Sequence, residues 1–183
     1  MLPASPLEYR PARRRDHSRF LTARVQAASR KIVLTAFLVL PILPFMQIDI
    51  VVDTNVLVSA LKSSRGSSFR LLSMVEHESF TLHVSTTLVT EYEAVLKREN
   101  TSLTAEEIDD VIDFICSRAV LNKIFYLWRP VLKDPGDDFI LELAVKANAV
   151  IVTWNEVDFK NAAKFGVVVM NPRTFLASLE VQP

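Results

Sequence analysis

From Gln47 onward, short unbroken apolar runs alternate with stretches whose apolar residues recur at helical spacing. Ile48–Val52 is a continuous apolar run, the pattern of a strand buried on both faces. A short helix follows over Val56–Leu61, then a loop through Ser63-Ser64-Arg65-Gly66. Phe69, Leu72 and Val75 set a second helix over Ser67–His77. Thr81–Val84 predicts a strand, and Leu88, Tyr92, Val95 and Leu96 give one face to a helix over Thr86–Arg98. Thr104-Ala105-Glu106-Glu107 is a capping box that opens a helix running to Ala119, with Ile108, Val111, Ile112 and Ile115 apolar. Lys123–Leu127 predicts a short strand, Asp137–Ala147 a helix, and Val150–Thr153 a further strand. Asp158–Phe165 predicts a short helix closed by Gly166, and Val167–Met170 the last strand. Asn171-Pro172 pairs an N-cap with a proline at the first helical position, which starts a final helix to Leu179.

Five strands separated by helices imply right-handed crossovers. The expected fold is therefore α/β, a three-layer α/β/α sandwich with a mostly parallel five-stranded sheet, formed by one domain over residues 46–183. No internal repeat or low-complexity segment breaks that region.

Charge separates it from what comes before. Residues 1–45 hold eight Lys/Arg against two Asp/Glu, whereas 46–183 hold thirteen against nineteen, so a net charge of zero hides parts of +6 and −6. The first 31 residues are rich in Arg and Ala without periodicity. The apolar run Ile32–Met46 that follows has fifteen residues and contains Pro41 and Pro44. A membrane span needs about 20 residues, and two prolines would break so short a helix. A secretory signal lacks its small-x-small cleavage site here. The preferred reading makes 1–45 a disordered or mis-assigned extension, with Met46 as the initiator and the protein in the cytoplasm.

Composition narrows the chemistry. The chain has 183 residues, 50% apolar, enough for one sizeable core. Three scattered glycines, Gly66, Gly136 and Gly166, exclude a GxGxxG loop and a P-loop. The lone Cys116 excludes a disulfide framework and a cysteine zinc site, and reads as a small core residue. His17, His77 and His83 show no ligand spacing, so any metal must be held by oxygen.

Oxygen donors do gather at the carboxyl ends of the expected strands, where open parallel sheets place their sites. The first strand ends in Asp53-Thr54-Asn55, the second in Ser85-Thr86-Thr87, and the fourth in Thr153-Trp154-Asn155 with Asp158 just beyond. Asp134-Pro135-Gly136-Asp137-Asp138 opens the helix that feeds the fourth strand, and Glu91 lies in the helix after the second. Converging carboxylates stay ionised only beside a cation, and an oxygen-only set suits Mg²⁺ or Mn²⁺. Such ions serve phosphodiester hydrolysis by activating water and stabilising a leaving oxyanion. Each residue also has a structural reading. Asp53 suits an N-cap, Asp138 a first-turn dipole partner, Asp134 a turn, and Ser85 or Thr153 a backbone cap. Glu91 suits a solvated helix residue paired with Lys97 or Arg98, and Glu93, on another helix face, competes with it for the site role. Trp154 is read as a packing residue, with base stacking as its alternative, and Arg65, Arg98 and Arg173 as solvated or phosphate-binding.

The segment Asp53-Thr54-Asn55-Val56-Leu57-Val58-Ser59-Ala60 resembles the opening motif of the PIN-domain nucleases. Glu91-Tyr92, Asp134-Pro135-Gly136-Asp137-Asp138 with Leu141-Glu142-Leu143-Ala144, Ile151-Val152-Thr153 and Met170-Asn171-Pro172-Arg173-Thr174-Phe175-Leu176 extend the resemblance over residues 47–179. It is nearest to the branch of toxin components of bacterial toxin–antitoxin pairs. It implies strand order 3-2-1-4-5 and a metal-dependent endoribonuclease, with an antitoxin partner and a homodimer. It also implies Asp53, Glu91 and Asp137 as metal-holding residues. The family's fourth acidic position is occupied by Asn155. Asn155 can orient water or bind a metal weakly through its carbonyl, and Asp158, Asp134 or Asp138 can supply the missing carboxylate, with Asn55, Ser85 and Thr153 in support. A domain that keeps the fold as a non-catalytic interaction module, and a solitary RNA-processing nuclease, are the alternatives. The net −6 predicts RNA binding that is local rather than driven by overall charge.

Overall fold

In the computed structural model, which describes residues 47–77, 79–99, 103–125 and 131–180, the apolar run Ile48–Val52 forms β1 at the centre of a sheet. It pairs with β2 (Phe80–Ser85) on one side and β4 (Val150–Val152) on the other. β3 (Val120–Asn122) adds to β2 and β5 (Val169–Met170) to β4, and every pairing is parallel. The order is β3-β2-β1-β4-β5, as expected. Ile50, Val51 and Val52 are buried, as are Ile151 and Val152. Coverage of the sheet on both faces explains why these runs carry no polar alternation.

Among the described residues five α-helices lie between the strands, α1 (Thr54–Lys62), α2 (Ser67–Ser73), α3 (Thr86–Arg98), α4 (Ala105–Arg118) and α5 (Asp138–Ala147), and α6 (Pro172–Glu180) follows β5. The chain steps from β1 outward to β2 and β3, then returns past β1 to β4 and β5. With right-handed crossovers, this reversal sends the two sets of connections to opposite faces. α5 packs over β1, β2 and β4, burying Ile140, Leu141, Leu143 and Ala144. α1 packs on α2 and α3, α3 on α4, and α2 on α6. The Phe80 and Phe175 rings meet edge-on at 5.6 Å within the core.

Local signals act as their chemistry requires. Thr104 Oγ1 accepts from the Glu107 backbone at 3.2 Å and Glu107 Oε2 accepts from the Thr104 backbone at 2.7 Å, closing the capping box. Gly166 has φ +75°, a left-handed conformation that glycine adopts without penalty.

The differences from expectation are mostly at element ends. The second helix stops at Ser73 and tightens into a 3₁₀ turn over Val75–His77. The helix expected from Asp137 is a 3₁₀ turn, Pro135–Asp137, followed by α5, and the one expected over Asp158–Phe165 is a 3₁₀ segment, Lys160–Phe165. The expected strand Lys123–Leu127 is corrected to β3 at 120–122. Lys123–Phe125 carry no regular structure, and residues 126 and 127 lie outside the described residues. β3 is an edge strand fixed by pairing with β2 and by Asn122, whose amide donates to His83 Nδ1 at 3.0 Å. Its Val120 and Leu121 side chains are exposed, so no apolar periodicity marks it. Cys116 is also exposed, one residue off the apolar stripe of α4 that ends at Ile115. The expected extension 1–45 lies outside the described residues, among which no helix is long and apolar enough to cross a membrane.

Tyr92 ties α3 to the sheet. Its hydroxyl, fully buried, donates to the carbonyl of Val52, the last residue of β1. Burial holds the phenol far above its usual pKa, so it remains a donor. Tyr92→Phe leaves that carbonyl unpaired and is expected to cost about 1–2 kcal/mol in urea denaturation with the fold intact. An unchanged midpoint would show that the bond contributes nothing.

Candidate functional site

The reversal of strand order puts a crevice at the carboxyl ends of β1 and β4, the place where doubly wound sheets bind ligands. Asp53 follows β1 directly. Its backbone N–H donates to Val152 at 2.9 Å, and the residue caps α1. Thr153 follows β4 and is fully buried. Its hydroxyl donates to Asp53 Oδ2 at 2.6 Å, and the Asn55 amide donates to the same oxygen at 2.6 Å and to Thr153 Oγ1 at 3.1 Å. The Asn155 backbone donates to Thr153 Oγ1 at 2.9 Å, and the Trp154 backbone donates to Asn55 Oδ1 at 3.1 Å. Asp53 Oδ1 receives a longer bond from the Asn55 backbone, at 3.4 Å. Asp53 is thus an N-cap with one oxygen still lightly engaged. Burial raises its pKa against the pull of these hydrogen bonds.

A cleft of ≈ 390 Å³ opens beside it. Asp53, Glu91, Asp134, Asp137 and Asp158 all line this cleft, together with Asn55 and Asn155. Carboxylates separated by up to 105 positions in the chain are therefore gathered as topology predicts. Glu93 instead pairs with Lys97 at 2.6 Å. Two of the sequence candidates serve elsewhere. Ser85 Oγ accepts from the Leu88 backbone at 3.2 Å as the cap of α3. The buried Asp138 carboxylate accepts from the backbones of Val131 at 3.1 Å and Leu132 at 2.8 Å, fastening the segment ahead of the 3₁₀ turn. Asp134 lines the cleft and also accepts from the Gly136 backbone at 2.8 Å, which makes the turn. Sequence reasoning missed Glu99, which lines the cleft and pairs with Lys62 at 2.7 Å. Its spacing of four and eight from Val95 and Glu91 was the available signal.

Among the described residues no Lys or Arg lines the cleft. Lys133 reaches Asp158 at 3.1 Å and, with the Asn155 amide, holds that carboxyl below its usual pKa. Asp137 shows the uncompensated charge. Its pKa is pushed up to about 6, first by burial and then by the carboxylates of Asp53, Asp134, Asp158 and Glu91. Among the described residues no three His, Cys, Asp or Glu side chains are closed around one point as a metal site. The donor set nevertheless fits a hard divalent cation: all-oxygen, mutually repelling and, among the described residues, without a cationic lining side chain. Thr54 Oγ1, on the same cleft, is buried with no hydrogen-bond partner among the described residues.

The family model described as PIN domain matches residues 49–156. The chain belongs to the PIN-domain family. The match begins in β1 and ends one residue past Asn155, so Asp158 lies beyond it. No curated protein matches the chain in sequence. In fold, this PIN domain is similar to a chain of VapBC2 from Rickettsia felis, solved bound to a DNA fragment from its promoter. That chain is 17% identical, with TM-score 0.50 and 68% of this chain and 98% of that one covered. It is similar also to a chain of VapBC-1 from nontypeable Haemophilus influenzae, 16% identical, with TM-score 0.50 and coverage of 69% and 99%.

The raised pKa of Asp137 has a measurable consequence. A carboxyl whose folded pKa lies above its unfolded value opposes folding once it is ionised. The cost is full above about pH 6 and disappears as pH falls toward 3.8. Without divalent metal, Asp137→Asn is expected to stabilise the PIN domain at pH 7.5 by about 1 kcal/mol, after discounting for the screening of a half-buried group. The gain should shrink to nothing at pH 4. A gain independent of pH, or a loss at pH 7.5, contradicts the like-charge account.

Proposed function

We propose that this PIN domain is a divalent-metal-dependent endoribonuclease and the toxin of a toxin–antitoxin pair. The observation that carries the catalytic reading is a cleft lined by six carboxylates, with Asp137 raised first by burial and then by Asp53, Asp134, Asp158 and Glu91. An anionic phosphodiester does not enter such a cleft unless a cation offsets the charge. Asp53, Glu91 and Asp137 are the residues to hold Mg²⁺ or Mn²⁺, which when bound lowers the pKa of an attacking water and stabilises developing charge on phosphate oxygens.

The remaining groups orient. Thr153 and Asn55 grip Asp53 Oδ2, so its other oxygen is presented in a fixed rotamer. Asn155 adds no charge, but its amide donates to Asp158, which supplies the fourth carboxylate in its place. Lys133 balances Asp158 at the mouth of the cleft. Hydrolysis adds water across one P–O bond, and the leaving oxygen takes a proton.

The antitoxin rests on the sequence resemblance and on the likeness in fold to VapBC2 and VapBC-1, members of toxin–antitoxin systems. Residues 46–183 as the functional domain, a homodimer, and action on RNA in the cytoplasm belong to the same proposal.

The test uses metal-stripped protein with single-stranded and structured RNA, with and without Mn²⁺, beside Asp53→Asn. Cleavage is expected only with Mn²⁺, and it should fall about 100-fold or more in the variant. Folded protein that cuts no RNA with Mn²⁺ present, or a variant that cuts as well as the parent, would leave the PIN domain as an interaction module.

A further inference from the structure

Trp154 stands between two clefts of opposite character. Its backbone N–H donates to Asn55, a lining residue of the acidic cleft. Its indole Nε1–H donates at 2.9 Å to Ser68 Oγ, which is itself buried. Trp154 as a residue is 40% exposed, and the Arg173 guanidinium lies over its ring at 5.8 Å from the centroid. Arg173 in turn lines a second cleft of ≈ 340 Å³ with Arg65 and Arg70. Arg70 is paired with Glu180 at 2.7 Å, whereas neither Arg65 nor Arg173 has a carboxylate partner among the described residues. Three arginines against one glutamate make this cleft positive in a region whose overall charge is −6.

A residue that only filled the rim would not need its backbone and its indole N–H both anchored while a large part of it faced water. An anchored, exposed indole loses little freedom when a flat group stacks on it. Bases of single-stranded nucleic acid are such groups, and the phosphates joining them need cations. The order of the features along this surface is acidic cleft, indole, arginine cleft. That order matches reacting phosphodiester, adjacent base, next phosphate.

We propose that Trp154, Arg173 and Arg65 form a single-stranded RNA subsite beside the acidic cleft. Trp154 stacks the base next to the scissile phosphodiester, and the Arg65–Arg173 cleft holds the phosphate beyond it. The identity of the strand as RNA rests on the nuclease reading, whereas the stacking and phosphate contacts do not depend on cleavage. They place local positive charge where the overall charge provides none.

The experiment measures binding without chemistry. Full-length Asp53→Asn protein in metal-free buffer is titrated into a fluorescein-labelled single-stranded oligoribonucleotide, followed by anisotropy at several salt concentrations. Adding Trp154→Ala should weaken binding about tenfold or more, while Trp154→Phe keeps it within about threefold. Arg173→Gln should weaken binding and flatten the slope of log K against log salt by about 0.7, the loss of one phosphate contact. Circular dichroism confirms that each variant is folded. Binding unchanged within about twofold in both Trp154→Ala and Arg173→Gln overturns the subsite. So does equal binding of a duplex of the same sequence, or an oligoribonucleotide that the parent does not bind at all. Wild-type cleavage is scored separately: binding through Trp154 without metal-dependent cleavage keeps the subsite and removes the nuclease, and cleavage with binding indifferent to Trp154 does the reverse.

Discussion

The hydrogen bond from Thr153 to Asp53 joins residues 100 apart in sequence, and the site depends on it. It exists because β1 and β4 are parallel neighbours that end together, while the connections they belong to pass on opposite faces of the sheet. Asn55 completes the contact by bonding both side chains at once. A carboxylate left unsatisfied at that depth would have to be neutral. Held by a hydroxyl and an amide on one oxygen, Asp53 stays a fixed acceptor on the other, and its neighbours are placed relative to it.

Charge is the second constraint. Six carboxylates on one cleft repel, and among the described residues the fold meets this at the edge, where Lys133 reaches Asp158 and Lys62 reaches Glu99. The centre of the cleft is left uncompensated. Asn155 adds no further charge to the cleft, and its amide donates to Asp158. Positive charge is kept separate, in the arginine cleft behind Trp154.

Much of this was legible in the amino-acid order because each signal was local. An unbroken apolar run ending in Asp-Thr-Asn marks a buried parallel strand followed by a capped helix, and Ile48–Asn55 does form both. The parallel topology then carries the remaining strand-end residues to one edge. What was hidden depends on contacts made only in three dimensions. Asp137 and Asp138 are adjacent and alike in sequence, yet one lines the cleft and the other fastens the backbone of Val131 and Leu132. β3 was misplaced because an edge strand with exposed side chains needs only backbone pairing. The anchor between Trp154 and Ser68 spans 86 positions and has no sequence signature.

The proposed role of Asp53 is to hold a divalent cation in the acidic cleft. Thermal unfolding of the metal-stripped chain against rising Mn²⁺ tests it without requiring a substrate. A ligand bound only by the folded state stabilises by an amount that grows with the logarithm of its concentration, reaching about 2.7 kcal/mol at 100 times its dissociation constant. The account predicts a melting temperature that climbs with Mn²⁺ in the native chain and stays nearly flat in Asp53→Asn. A native chain indifferent to Mn²⁺, or a variant that responds equally, would contradict it.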